Sequence, residues 1–175
     1  RTNDLTNIRQ RLGLWEGTLI SQFHFEGVPV AVQTVCHPTR DLLAVRVTSS
    51  LLLSNRLGID FRFPYGTGRT TAADWTRPEA HETRCEQRGP GAARFDRRLD
   101  NDRYHVAAQW SGPAQFTEPG RHHYRITPDA GSDTFELTVA FSAALPPDTP
   151  PDFAQTHRAA REHWMRFWST GGAID

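Results

Sequence analysis

The densest group of side chains able to read a small polar ligand lies in residues 64–81, PYGTGRTTAADWTRPEAH. Tyr65 and Trp75 offer aromatic faces on which a pyranose ring can stack. Asp74, Arg77 and His81 offer the acceptors and donors that sugar hydroxyls need. The stretch is longer than most connections in compact domains, and long loops of this kind are commonly binding elements or are ordered by a partner. The competing reading is architectural, with Trp75 plugging one end of the fold and Tyr65 anchoring the loop.

Hydrolytic chemistry on a glycoside needs two carboxylates, roughly 5–5.5 Å apart for retention or 6.5–9.5 Å for inversion. Asp74, Glu79, Glu82, Glu86, Asp96 and Asp100 supply candidates, but most alternate with arginines and read as a solvated sheet face. No catalytic residue is assigned within the chain. The eight histidines lack the local spacing of a metal site. His122 and His123 are adjacent in an expected strand and so point to opposite faces. His24 and His105 fall in other strands, and His157 reads as a packing residue, so neither metal nor cofactor is expected. Gly66-Thr67-Gly68 lacks the third glycine and following helix of a dinucleotide cradle, and no G-x-S-x-G elbow occurs.

The elements that must position these groups are short strands. Leu57, Ile59, Phe61 and Phe63 alternate with Gly58, Asp60 and Arg62, the period of a half-buried strand. Residues 18–26 and 28–36 read as a hairpin about Gly27, with Pro29 marking an edge or a strand start. Further strands are expected at 42–49, 81–88, 93–99, 103–110, 121–127 and 134–141, with turns at 100–102 and 128–133. Nine strands without intervening helices predict a mainly β fold, an antiparallel two-sheet sandwich.

One segment has a different period. After the Pro-rich residues 145–151, Phe153, His157, Ala160, Trp164, Phe167 and Trp168 share a stripe about 100° wide at 3.6 residues per turn. Arg158, Glu162 and Arg166 take the opposite side. Thr149 or Asp152 can cap the helix, and Gly171-Gly172 can end it. The expected division is a sandwich over 1–145 and a linker with an amphipathic helix over 146–175. Phe153, Trp164, Phe167 and Trp168 carry more apolar surface than a soluble chain leaves bare, so this stripe must be covered, either by the chain's own sandwich or by a following domain. The sequence ends soon after the helix, which favours a cut in mid-chain.

Composition narrows the function classes. Twenty arginines, with no lysine, balance twenty acidic residues, and neither sign forms a block that would suit nucleic acid or an anionic membrane. No apolar run approaches the roughly 20 residues of a membrane span. Arg1-Thr2-Asn3-Asp4 has no targeting pattern, so the compartment is not legible. Cys36 and Cys85 are the only cysteines. A bridge between them would imply an oxidising compartment, and two unrelated thiols are an equal alternative.

Several runs together resemble a known architecture. Residues 162–175, EHWMRFWSTGGAID, look like the linker helix and barrel entrance of six-hairpin glycosidases, whose catalytic domain is an (α/α)6 barrel. Trp15-Glu16-Gly17-Thr18-Leu19, Gly27-Val28-Pro29-Val30, Thr34-Val35-Cys36-His37-Pro38 and Phe63-Pro64-Tyr65-Gly66 resemble the β-sandwich domain preceding that barrel. Glycoside hydrolase family 65 is similar in architecture. The resemblance implies a super-sandwich of galactose-mutarotase type with a C-terminal linker helix, and it places the catalytic acids on a barrel outside this chain. The expected role is a non-catalytic domain that packs on the barrel and lends a loop to its carbohydrate site. The alternative is a free-standing carbohydrate-binding module; a weaker third reading is a structural domain without sugar contact.

Overall fold

A computed structural model describes residues 4–145 and 150–172. The first three residues, the linker residues 146–149 with the alternative cap Thr149, and the final Ala173-Ile174-Asp175 lie outside the described residues. Thirteen strands and one α-helix are formed there. The nine expected strands are present, as β2 (Thr18–Phe25), β3 (Val28–Cys36), β4 (Leu42–Thr48), β5 (Ile59–Arg62), β8 (His81–Gln87), β9 (Ala92–Leu99), β10 (Asp102–Trp110), β12 (His123–Pro128) and β13 (Thr134–Ser142). Four more are added: β1 (Leu5–Gly13), the two-residue β6 (Tyr65–Gly66) and β7 (Ala73–Asp74), and β11 (Ala114–Gly120).

The strands make an antiparallel sheet ordered β1-β2-β3-β4-β13-β10-β9-β8, a smaller sheet β11-β12-β5, and the β6-β7 ribbon. Local chemistry sets the register. Glu26 and Gly27 both take positive φ (51° and 79°), the geometry of a tight hairpin turn between β2 and β3. Pro29 sits at the start of β3, before that strand's pairing with β4 begins at Ala31, so its missing N–H costs no ladder bond there.

The two larger sheets bury one apolar core. Phe95, Val106, Trp110, Phe135 and Leu137 of the large sheet meet Tyr124 and Ile126 of the small one, with Phe61, Phe63 and Phe116 packed around them. The chain is therefore a mainly β sandwich, and its large sheet carries a second layer on the other face. Helix α1 (Phe153–Phe167) lies there, and Phe153 is buried against Val35, Leu42 and Ala44. Full burial of one such ring stabilises by about 1.5–3 kcal/mol. Arg46 stacks on the same ring, 4.1 Å from its centroid, and its Nε donates to Glu136. Asp152 caps the helix in a reciprocal box with Gln155. Past Trp168 the coil widens into a π-turn and stops at Gly171, whose φ of 117° excludes most side chains.

The stripe is covered only in its first half. Phe153, Thr156 and Ala160 are buried, whereas Phe167 remains 46% exposed. Trp164 lies over Gly17, and Trp168 donates its Nε1–H to the Leu14 carbonyl at 2.7 Å. Trp15, itself largely exposed, meets Trp168 at 6.3 Å between centroids, so an aromatic edge continues from the helix onto the β1–β2 turn.

The disulfide alternative is corrected. Cys36 and Cys85 are both free. They lie on β3 and β8, five strand spacings apart in one sheet, or roughly 24 Å at about 4.8 Å per strand, far beyond the reach of an S–S bond. Cys85 faces the core, and burial pushes its thiol up to about 12. No described helix is long and apolar enough to cross a membrane.

Candidate functional site

The sandwich core changes character at one end. On the inward face of β8, Cys85, Thr83 and His81 stand opposite Phe95, Arg97 and Leu99 of β9, so an apolar row turns polar within one pair of positions. Arg97 has no exposed surface. Its Nη1 donates to His81 Nδ1 at 2.8 Å, to the Glu82 carbonyl at 3.2 Å and to the Thr83 hydroxyl, its Nη2 to the Pro64 carbonyl at 3.2 Å, and its Nε to Tyr104 at 3.3 Å. The guanidinium also lies 4.9 Å from the Phe63 ring centroid, within cation–π range. Every acceptor is neutral.

These bonds orient the histidines behind them. His81 Nδ1 accepts from Arg97, so its proton sits on Nε2. Thr83 accepts from Arg97 and shares a hydrogen bond with His122 Nδ1 at 2.7 Å, while His122 Nε2 lies 2.7 Å from the Pro78 carbonyl and 3.1 Å from Arg121 Nε. The two imidazoles are 3.9 Å apart. Burial lowers the pKa of His81 to about 4, with His122, Arg97 and Arg121 acting in the same direction. His122 is lowered as well, again chiefly by burial. Both rings are neutral near pH 7.

The 64–81 stretch closes over this corner as a small hairpin, in which Tyr65 pairs with Asp74 and Gly66 with Ala73. Tyr65 donates to both oxygens of Asp100, at 3.1 and 2.9 Å, on the β9–β10 turn, and that bond raises its pKa. Arg77 stacks 4.6 Å from the centroid of the same ring. Asp74 Oδ1 accepts from the Thr76 amide at 2.9 Å and hydroxyl at 2.7 Å, bonds that lower the Asp74 pKa. Trp75 is 61% exposed, so it does not plug the sandwich end. Tyr65 does anchor the loop, through Asp100.

A cavity of about 240 Å³ opens beneath the hairpin. Asp74, Trp75 and His81 line it, while Tyr65 and Arg77 stack at its side. Phe63, Pro64 and Pro78 also line it, as do Arg62, Arg121, His122 and His123, which were not singled out as binding residues from sequence. His122 corrects the opposite-face expectation: it precedes β12 in left-handed backbone, φ 59°, outside the strand alternation, so both histidines border one cavity. His123 lies 3.1 Å from Asp60, which Arg125 grips with two bonds and holds well below the usual carboxylate range. Among the described residues, no group of three or more His, Cys, Asp or Glu is placed to hold a metal ion.

The carboxylates weighed for hydrolysis are mostly spread over the outer sheet face. Glu82 pairs with Arg84, Glu86 with Arg88 and Arg94, and Asp96 with Arg103. Arg103 holds the Asp96 carboxyl below its ordinary value. A second, larger hollow of about 660 Å³ lies elsewhere, bordered by Asn7, Arg9, Gln22, His24, Ser49 and Asp133 among others.

No family model matches the sequence and no curated protein does. Among solved structures, the fold is similar to a chain described as "Putative kojibiose phosphorylase from human microbiome", with a TM-score of 0.61 and 8% sequence identity. The similarity covers 94% of this chain and 25% of that one, so this chain spans about a quarter of the other's length. At that identity the likeness is one of fold, and it extends over nearly the whole sandwich and helix.

Proposed function

We propose that this chain is a non-catalytic β-sandwich domain of a six-hairpin glycoside hydrolase or related phosphorylase, with architecture like that of family 65. In this reading residues 1–145 form the accessory sandwich and 146–175 lead to an (α/α)6 barrel. Phe153 secures the helix to the sandwich, and Trp164, Phe167 and Trp168 present an aromatic edge to the barrel. The hairpin of residues 64–81 lends Tyr65, Asp74, Trp75, Arg77 and His81 to the sugar-binding region.

The observation that carries this reading is the fold match, which takes in 94% of this chain but only a quarter of a carbohydrate-active enzyme. Two features agree with it. The aromatic edge formed by Trp15, Phe167 and Trp168 is only partly covered by the sandwich. Among the described residues, the carboxylates moved from their ordinary values, Asp60, Asp74 and Asp96, are all held low by hydrogen-bond donors, whereas a general acid needs a raised pKa.

The test is an activity comparison. The 175-residue chain is expected to release no sugar from α-linked disaccharides with water or phosphate as acceptor. The reading frame continued past Asp175 is expected to encode paired amphipathic helices whose inclusion confers turnover. Turnover by the chain alone would overturn the assignment. The second reading, a free-standing carbohydrate-binding module, is favoured by the amide and hydroxyl groups around the 660 Å³ hollow. It requires glycan affinity in the chain without any barrel.

A further inference from the structure

We propose that the cavity beneath the 64–81 hairpin binds a single anionic pyranose, its carboxylate or phosphate held by Arg62, Arg121 and the His81 Nε2–H, and its ring set against Trp75. The word pyranose rests on the reading of the hairpin as sugar-proximal. The anion rests on the cavity itself.

His81 offers the cavity a free donor. Only 6% of its surface is exposed, and its Nδ1 is committed to Arg97, so the Nε2–H is its remaining donor. No protein acceptor among the described residues meets that donor, and the ring borders both the cavity and the neighbouring groove. That N–H opens onto the cavity, where water or a ligand oxygen can take its hydrogen bond. An acceptor in the cavity completes it.

The cavity is also positively charged. Arg121 and the fully buried Arg97 have no carboxylate partner among the described residues, and Arg62 reaches only Asp60, at 3.8 Å. That Asp60 is already shared with Arg125 and His123. The cavity wall thus presents two guanidiniums against the single carboxylate of Asp74, with a third guanidinium behind His81. Arg62 and Arg121 are both exposed, so an anion at the cavity is favoured by charge-assisted hydrogen bonds to two guanidiniums at its rim. A cationic ligand would be repelled.

Size and shape select the class. About 240 Å³ is below the roughly 300–1,000 Å³ of pockets for drug-sized ligands, and suits one ring with its charged group. Trp75, largely exposed at the rim, provides a flat apolar face for stacking, and the second oxygen of Asp74, which has no hydrogen bond among the described residues, can accept from a ring hydroxyl.

Titration of the ¹⁵N-labelled 175-residue chain with glucuronate, glucose 6-phosphate, glucose and inorganic phosphate tests this directly, with the Trp75 indole and His81 ring signals as reporters. One of the two anionic sugars is expected to bind at least about tenfold more tightly than glucose and than inorganic phosphate. Which of them does so identifies the anion as carboxylate or phosphate. Arg121→Gln is expected to weaken that binding about tenfold, and Trp75→Ala, at an exposed site that leaves the fold intact, is expected to weaken it also. Equal affinity for glucose, binding of inorganic phosphate as tight as that of either sugar, indifference to Arg121→Gln or to Trp75→Ala, or no response to any probe would each overturn the proposal. None of those results bears on the inactivity of the isolated chain or on a downstream barrel, which are tested separately.

Discussion

A guanidinium with no exposed surface and only neutral acceptors, as at Arg97, persists because its hydrogen bonds are nearly all made inside the sandwich. Burial, and to a lesser degree the Arg97 charge, keeps His81 and His122 unprotonated, which has a consequence for stability against pH. The folded pKa of His81, about 4, lies below the ordinary 6.5, so between those values the unfolded chain binds more protons than the folded one. Stability therefore holds above pH 6.5 and is lost as pH falls toward 4, by up to roughly 3 kcal/mol from this residue. His122 and His37, also lowered, act in the same direction. Losses from Asp60 and Asp96, whose pKa values are held low by arginines, come at still lower pH. Urea unfolding at pH 7, 5.5 and 4 is expected to show this decline, and His81→Gln to show a shallower one. An unchanged slope in the variant would mean that the ring titrates normally.

At the scale of elements, the helix is positioned by one backbone contact as much as by its apolar stripe. A Cβ at Gly17 would lie 2.2 Å from Trp164 Cδ1, and Gly17 has a φ of 62°. Gly17→Ala is expected to destabilise the chain by about 1–3 kcal/mol and to shift the tryptophan fluorescence as Trp164 is displaced. Wild-type spectra and stability in the variant would show that the helix does not press on the turn. Trp164 could be placed on the apolar stripe from its spacing, but the need for glycine beneath it could not, because that contact joins residues 147 positions apart. The same limit explains what else was hidden. Strand β1 is exposed along nearly its whole length, so LTNIRQRLG carries no alternation to read. Strands β6 and β7 are two residues each, too short for any period. The strands with one apolar face, such as β5 and β9, were legible for the opposite reason. In the candidate site, residues 65, 74, 75, 77 and 81 were visible as a local cluster. Arg97 left only a faint sign, a charge in the apolar positions Ala93, Phe95 and Leu99 of β9, and its meeting with His122 depends on the β8, β9 and β12 arrangement.

At the scale of the molecule, an incompletely covered apolar edge coincides with a formal net charge of zero at pH 7 and a pI near 7.3. Charge repulsion is what ordinarily keeps such a surface from meeting its like, and near pH 7.3 it is at its weakest. Trp15 and Phe167 are about half exposed, and Met165 adds a third apolar side chain nearby on the helix. Under the proposed function this edge meets a barrel, so the isolated chain should present it to solvent and to other copies. The expected outcome is concentration-dependent self-association in sedimentation velocity near pH 7.3, diminishing as the pH moves away on the alkaline side, where folding stability is unaffected by the buried histidines. The double substitution Trp15→Ser, Phe167→Ser should abolish association while changing unfolding free energy by only about 1 kcal/mol, since partly exposed positions contribute little to folding. Association that survives the double substitution would place the sticky surface elsewhere. Loss of several kcal/mol in its stability would show instead that Trp15 and Phe167 belong to the sandwich's own core, leaving the barrel without a docking edge here.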